Sequence, residues 1–361
     1  MGPVIDATVV HPPFTGVHYA VRQETLALLA TGTDHGPWSC LARDPDLVQE
    51  ALALKATVPL LGSVLDHPLG RIAWQQLRLA GKLREWGASA LLGLAGTAPP
   101  RCPVPLYLQI HDTIALRRPD LCRAINACHM RLLLPPAARQ AHTIIVSAAA
   151  VADELHQLLG IPFQRLQVVP LGLDEVFVQV AQAETPPVAP PPVRDLGPYL
   201  LFVGGPEPRK GLGTLLAALA PSFPWPLVQV GAALPVSAGA SVIPLGYVAR
   251  EWLPGLYAHA AATIVPSLEE GFSLPVLEAL ACGCPVIHRD HPVLRQTAGG
   301  HGEAFKSGGD EVRNLRGLLT VLRAAGAPDP ARRWEARSTS RIWAASHTPA
   351  HWASAVASLL P

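Results

Sequence analysis

Two glutamates, Glu270 and Glu278, stand in the stretch PSLEEGFSLPVLEALACGCPVI, residues 266–287, with Glu269 beside the first. A carboxylate accepts two hydrogen bonds at once and so matches a vicinal diol such as a sugar or a ribose. The loop Glu269-Glu270-Gly271-Phe272-Ser273 runs into Pro275, which suits the first turn of a helix because its missing N–H costs nothing there. Glu270 is therefore expected on a loop and Glu278 in the first helical turn. At about 3.3 Å per extended residue, the two carboxylates could face one cleft roughly 10 Å apart. The N–H groups from Gly271 to Leu274, with the positive end of the helix, would then face an anion lying between them. Taken alone, the same residues read equally well as solvated loop charges and a complement to the helix dipole.

A second stretch shifts that balance. Gly204-Gly205-Pro206-Glu207-Pro208-Arg209-Lys210-Gly211 follows an apolar run, Tyr199 to Val203, and precedes a helical pattern. Such a turn lets backbone approach phosphate oxygens, and Arg209 and Lys210 add positive charge. Cations at a helix start are unfavourable unless an anion sits there.

The elements that must position these groups form two series. Val4–Val10, Val104–Ile110, Thr143–Val146 and Leu166–Val169 read as strands. Helices are expected over about Tyr19–Leu29 and from an N-cap at Ser147 through Leu159, stopped by Gly160. The pattern restarts with strands at Tyr199–Val203, Leu227–Val230, Ser241–Pro244, Thr263–Val265 and Pro285–His288, and helices at Leu212–Ala220, Trp252–His259 and Pro275–Ala281. Strands alternating with helices argue for parallel sheets. The proline-dense AQAETPPVAPPPVRDLGP reads as a semi-rigid linker. The expected organisation is a first domain over 1–182, a linker over 183–198, a second domain over 199–335, and a helical tail over 336–361 that could cross back to the first domain.

Composition agrees with a folded enzyme-sized chain. With 361 residues, 49% apolar, 15% charged and mean hydropathy +0.27, the chain is long enough for two cores and far from disorder. Its 28 basic and 27 acidic residues give a net charge of +1, which excludes a broad field for nucleic acid or anionic lipid. The six cysteines form no C-x-x-C pair, so reduced core thiols are expected rather than zinc ligands. Leu212–Ala249 holds no charged residue, yet its prolines break any membrane span. The N-terminus has no basic n-region, and a cytoplasmic location is expected.

The two chemical stretches resemble the large family of retaining glycosyltransferases with the GT-B fold, whose signature is a pair of glutamates separated by seven residues, here Glu270 and Glu278. The resemblance extends to IDATVVHPPFTGVHYAVRQETLALL, IHDTIALRRPD, IIVSAAAVADEL, VVPLGLDEVF, LFVGGPEPRKGLGTLLAAL and LGYV, and is greatest to the mannosyltransferase-like branch. It implies an α/β, GT-B architecture: two Rossmann-like domains with parallel sheets facing across a cleft. It implies transfer of a hexose from a nucleotide-diphosphate sugar to an acceptor hydroxyl, with retention, no metal and no other cofactor.

Carried onto this sequence, the resemblance gives Lys210 and Arg209 the diphosphate, and Glu270 with Gly271, Phe272, Ser273 and Leu274 the donor sugar. Glu278 would take the ribose hydroxyls, and Gly204, Gly205 and Gly16 would let backbone near the donor. Gly246 and Val248 would lie by the nucleobase. His111, supported by Asp112, would reach the transferred sugar, although alone it reads as an ordinary strand-end histidine. Gly205 stands where many members have arginine, His18 where a glycine is common, and Leu171 where asparagine is usual. The acceptor is a glycan, a lipid-linked molecule or a small molecule, with loops 56–70 and 99–105 as its expected determinants. A lipid-linked acceptor would place the protein peripherally at the inner membrane face.

Three other readings are weighed. A metal-dependent transferase would need an Asp-x-Asp after a strand, and Asp44-Pro45-Asp46 has that spacing but reads as a helix-starting turn. No strand is followed by the G-x-G-x-x-G of a dehydrogenase. A non-catalytic nucleotide-sugar-binding relative would keep the fold without the reaction.

Overall fold

The computed structural model describes residues 2–12, 14, 16–31, 37–59, 67–219, 223–232, 241–327 and 329–360. The chain divides into two compact units, Met1–Gly172 with Thr348–Pro361, and Leu173–His347. Parts of the expected acceptor loop 56–70, the turn before Gly16 and the end of the Leu212–Ala220 helix lie outside the described residues.

The first unit runs β1 (Val4–Asp6), α1 (Gly16–Thr31), β2 (Ser39–Leu41), α2 (Pro45–Ala53), α3 (Pro68–Leu77), α4 (Leu79–Glu85), β3 (Leu91–Gly93), β4 (Leu106–Ile110), α5 (Ile114–Arg117), α6 (Ala124–Gln140), β5 (Thr143–Val146), α7 (Ala149–Leu159) and β6 (Leu166–Val168). The second runs α8 (Glu175–Gln182), β7 (Leu200–Val203), α9 (Leu212–Leu219), β8 (Leu227–Val230), β9 (Val242–Gly246), α10 (Leu253–His259), β10 (Ala262–Val265), α11 (Leu274–Ala281), β11 (Val286–Arg289), α12 (Pro292–Ala298), β12 (Glu303–Phe305), α13 (Glu311–Ala325), α14 (Pro330–Ala336) and α15 (Ser338–Ala345). Then α16 (Pro349–Ala357) returns to the first unit.

Each sheet has six strands, all paired in parallel. Their inner strands are short, mostly apolar runs buried on both faces, as parallel sheets flanked by helices require, while the edge strands β6, β9 and β12 are partly exposed. The first sheet has the order β2-β1-β3-β4-β5-β6 and the second β12-β11-β10-β7-β8-β9. Numbered within its own unit, the second is the order 3-2-1-4-5-6 read backwards, the doubly wound nucleotide-binding arrangement. Ligands in such sheets bind beyond the carboxyl ends of the strands where the order reverses. In the second unit that point lies between β7 and β10; in the first it lies between β1 and β3.

The core of the first unit gathers Ile5, Leu28, Cys40, Leu92 and Tyr107 with Trp352, Val356 and Leu360 of the returning segment. Since α16 packs on α1, the last turns of the chain complete this core, each buried side chain contributing about 1.5–3 kcal/mol. The second core joins Leu200, Phe202, Leu215, Ile264 and Ile287 to Leu315 and Leu319 of α13.

The crossing between units falls at Gly172–Leu173, ahead of the proline-dense stretch where the sequence reading puts it. The reason is packing: Val188 presses against Gly255 of α10, His259 Nε2 lies 3.0 Å from the Pro187 carbonyl, and Trp334 Nε1 donates to the Ala183 carbonyl. That stretch, which contains a short 3-10 turn at Pro191–Val193, is thus part of the second unit. Likewise α15 stays with the second unit, on α8 and α11, and only α16 joins the first.

Smaller differences follow from local chemistry. The strand expected over Val4–Val10 ends at Asp6, whose carboxylate turns back to accept from Thr8 N–H and Thr8 Oγ1. Ala148, not Ser147, caps α7, without a side-chain bond. Asp44 caps α2, accepting from Leu47 N–H at 3.0 Å, so the Asp44-Pro45-Asp46 run is a helix start. No helix among the described residues is long and apolar enough to cross a membrane.

Candidate donor site and its relatives

The turn after β7 and the turn after β10 are locked together. Leu268 N–H donates to the Arg209 carbonyl at 2.7 Å. Gly211, which ends the short 3-10 turn Pro208–Lys210, has φ +66° and a backbone so close that a Cβ would stand 2.0 Å from the Pro266 carbonyl oxygen. Only glycine meets both demands. The result is that Arg209 and Lys210 are presented at the reversal point of the sheet.

There Lys210 Nζ sits 2.6 Å from Glu270 Oε1, and Arg209 contacts Glu270 Oε2 at 3.5 Å. Glu270 is buried at 8% exposure. Burial pushes its carboxyl up, but Lys210 and then Arg209, with hydrogen bonds from Lys210 and Ser267, outweigh it and hold the pKa below the ordinary value. Two cations around one carboxylate leave net positive charge, the arrangement that receives a further anion.

Ser273 adopts a left-handed backbone, φ 80°, at the start of α11, and is almost fully buried. That conformation is uncommon for a non-glycine residue and costs about 1–3 kcal/mol. Its Oγ is buried without a hydrogen-bond partner. Phe272 is buried, with its carbonyl accepting from Thr297 Oγ1 and its ring 6.3 Å from that of His347. Gly271 lies between Glu270 and Phe272, and Leu274 opens α11.

Glu278 is one turn further along α11 than the sequence reading has it: the helix opens at Leu274, no acidic residue lies in its first turn, and Glu278 is in the second. Its carboxylate is buried and engaged on both oxygens, by Arg250 at 2.9 Å and by Tyr257 OH at 2.8 Å. Arg250 also reaches Asp174 at 3.1 Å and lies over the Phe177 ring. Burial disfavours its charge, but Glu278 and Asp174 more than offset this and raise its pKa. Neither Arg250, Tyr257 nor Asp174 is flagged by the sequence, since no local spacing links them to Glu278. The signal that existed was a capping signature, Asp174 before Glu175-Val176, and it says only that a helix begins there.

The remaining donor-side residues lie on the same sheet edge. Gly204 donates to the Val230 carbonyl and accepts from Gln229 Nε2 at 2.8 Å. A Cβ on Gly205 would stand 2.7 Å from Glu207 Oε2, so the carboxylate of Glu207 fills the place of a side chain at 205. Gly246, φ +68°, ends β9 and accepts from Gly231 N–H; Val248 follows, half-buried, two residues before Arg250.

In the first unit, His111 follows β4, half-buried, with Nε2 2.9 Å from the Leu94 carbonyl. A carbonyl can only accept, so Nε2 carries the proton. Burial lowers the imidazole pKa, with Asp112 and the Leu94 carbonyl opposing; the ring is neutral at pH 7. Asp112 influences it by charge, while its own hydrogen bond receives Ile114 N–H. Gly16 opens α1 with open space around it.

The sequence and the fold both have known counterparts. Residues 16–177 match the family model for glycosyltransferase family 4, and residues 197–323 that for glycosyl transferases group 1. The O-antigen chain mannosyltransferase B of Escherichia coli is 29% identical over 213 residues, which are 53% of this chain and 55% of that protein. The serotype-specific mannosyltransferase WbdA of Escherichia coli is 28% identical over 222 residues, 54% of this chain and 27% of that protein. The chain thus spans about half or less of the length of these relatives.

Among solved structures, Anabaena Alr3699/HepE, crystallised with UDP and glucose, superposes with a TM-score of 0.68 over 100% of this chain and 99% of that one, at 16% identity. Sucrose-phosphate synthase from Thermosynechococcus elongatus gives 0.69 over 99% and 98%, at 20% identity. At such identities the likeness is one of fold. Two glycosyltransferase family models thus account for most of the chain, one largely in each unit, and the chain has the two-domain α/β fold of the GT-B glycosyltransferases.

Proposed function

We propose that this protein is a retaining, metal-independent hexosyltransferase that moves a hexose, mannose being the first candidate, from a nucleoside-diphosphate sugar to an acceptor hydroxyl in glycan or polysaccharide assembly. One observation carries the reading: Lys210 and Arg209 are gathered on the buried Glu270 at the reversal point of a 3-2-1-4-5-6 sheet. The mannosyltransferase relatives support the choice of sugar, and a neighbour crystallised with UDP and glucose supports the donor class.

In the proposed reaction the donor diphosphate lies against Lys210, Arg209 and the amides from Gly271 to Leu274. As the C1–O bond to phosphate lengthens, its electron pair goes to the departing diphosphate oxygen. The two cations stabilise that growing charge, each preorganised donor being worth roughly 3 kcal/mol. The acceptor hydroxyl oxygen bonds to C1 on the face the phosphate leaves, and its proton passes to a phosphate oxygen, so configuration is retained. Glu270 keeps Lys210 oriented, Glu278 accepts from the ribose hydroxyls through lone pairs left by Arg250 and Tyr257, and neutral His111 serves the transferred sugar. Charge neutralisation by side chains is what makes a metal unnecessary in this scheme.

The test is a panel of nucleotide sugars, including GDP-mannose and UDP-glucose, followed by nucleotide release with and without excess chelator and by the anomeric coupling constant of any product. Retained configuration and undiminished rate in chelator are expected. Turnover abolished by chelator, an inverted product, or binding of donors with no hydrolysis or transfer would each overturn the corresponding part of the reading.

A further inference from the structure

The first unit holds a buried cation that nothing in the reaction above uses. Arg71 of α3 is 8% exposed, yet among the described residues its guanidinium makes no hydrogen bond and no ion pair. An arginine taken out of water without a partner is costly, and such a group is retained where a ligand completes it. Burial lowers the guanidinium pKa, outweighing the charge of Asp6 that acts on it, and the hydrogen bonds Asp6 accepts come from Thr8 N–H, Thr8 Oγ1 and Gln75 Nε2, the last at 2.8 Å.

Its position is defined by its neighbours. Gln75 shares a helix face with Arg71, one turn on. Besides reaching Asp6 at the end of β1, Gln75 accepts from Thr97 Oγ1 at 2.9 Å in the turn after β3. This face of α3 therefore covers the reversal point of the first sheet, where ligands of doubly wound domains sit.

A second polar group meets it from α6. His129 has its Nε2 buried without a hydrogen-bond partner. The next residue, Met130, lies 3.2 Å from the place of a Cβ on Gly96, in the same turn after β3. The guanidinium is close enough to His129 that its charge, after burial, lowers the imidazole pKa. Two nitrogen-bearing groups, neither with a hydrogen bond among the described residues, thus converge beside the turn that also receives His111 through the Leu94 carbonyl.

We propose that Arg71 and His129 form an anion subsite for the acceptor, so that the acceptor substrate carries an oxyanion, a phosphate ester or a carboxylate, near the hydroxyl that receives the sugar. The fork of N–H groups on Arg71 matches either anion with two parallel bonds, and His129 Nε2–H supplies a third donor. The role as acceptor subsite rests on the transferase reading above; anion binding itself does not.

The experiment is a titration of the full-length protein with inorganic phosphate, then with a sugar phosphate, a uronic acid and the matching neutral sugar, followed by calorimetry and thermal shift. A saturating nucleoside diphosphate keeps Lys210 and Arg209 occupied throughout. Saturable binding of phosphate and of at least one charged sugar, with none of the neutral sugar, is expected. The tighter of the two charged sugars names the acceptor class. Arg71→Gln should weaken phosphate roughly tenfold or more, and His129→Gln less. Should Arg71→Gln not fold, Arg71→Lys, which keeps the charge but loses the fork, carries the comparison. Equal binding of charged and neutral sugars, or unchanged phosphate affinity in the folded Arg71 variant, overturns the subsite. A nucleoside diphosphate that fails to bind sinks the donor reading instead, whatever the phosphate titration shows.

Discussion

Glu24→Gln should make the protein more stable above neutral pH and remove a slope from its stability profile. Glu24 lies inside the first unit, on α1, at 2% exposure. Gln109 of β4 donates to its Oε1 at 2.7 Å, while Glu24 Oε2 and Gln109 Oε1 are both buried without a partner. Two acceptors left over from one paired set call for a proton between them. Burial raises the Glu24 pKa from 4.5 to about 8, with the Gln109 hydrogen bond opposing, so the side chain folds as the neutral acid. The sign follows from linkage: between these values the native state binds a proton that the unfolded chain has lost, so stability falls as pH rises. At about 1.4 kcal/mol per unit, the whole rise amounts to roughly 5 kcal/mol, a ceiling that local relaxation reduces. The stabilisation is fully present below about pH 4.5 and is lost by about pH 8. A glutamine at 24 presents N–H₂ to Gln109 Oε1 and keeps the carbonyl for Gln109 Nε2. Urea unfolding of both proteins from pH 5 to 9 should therefore show a difference that grows with pH and levels off near 8. Parallel profiles would refute the neutral-acid argument.

Three further outcomes concern the second unit. Lys210→Ala should lower kcat/KM on the productive donor by about 100- to 1,000-fold, measured by nucleotide release; a loss under tenfold would remove Lys210 from leaving-group stabilisation. Gly211→Ala must move the turn away from Pro266, because of both the 2.0 Å approach and the positive φ. It should cost about 1–3 kcal/mol in urea unfolding and weaken nucleotide binding by displacing Lys210. Arg250→Ala leaves Glu278 and Asp174 without their shared cation and should destabilise by about 3–5 kcal/mol. Nucleotide affinity should fall more than kcat on bound donor, and an equal fall in both would argue that Arg250 touches the reacting atoms.

What could be read from the residues follows from how far apart the interacting groups are. The loop and helix around Glu270 and Glu278, and the glycine turn with Arg209 and Lys210, are local, and local chemistry placed all of them on the right elements. The strand at Thr143–Val146 and the stop at Gly160 are equally local. By contrast β2, β3 and β12 escape notice because their three residues include no β-branched side chain, unlike the equally short β1 and β6. The domain boundary is missed because proline density reports backbone stiffness, whereas a boundary is set by what the stretch packs against. Arg250, Tyr257 and Asp174 are missed because they reach Glu278 only through the sheet topology. Arg71 is missed because a sequence does not show which charge ends up buried without a direct ion pair.

The two cation sites differ in a way that bears on their roles. Lys210 is already held by Glu270, so its burial is offset in the folded chain, and a diphosphate has to share it rather than rescue it. Sharing favours a ligand whose charge increases during the reaction, because the pull on Lys210 then grows toward the transition state. Arg71 has no such direct contact among the described residues, only the charge of Asp6 acting on it, so an anion there is bound mainly through its ground-state charge, and the same benefit persists as the reaction proceeds. Uniform binding of that kind lowers KM without raising kcat. Loss of Arg71 should therefore appear in the acceptor KM, whereas loss of Lys210 appears in kcat, and the two kinetic signatures separate a substrate anchor from a leaving-group clamp even before any bound structure is seen.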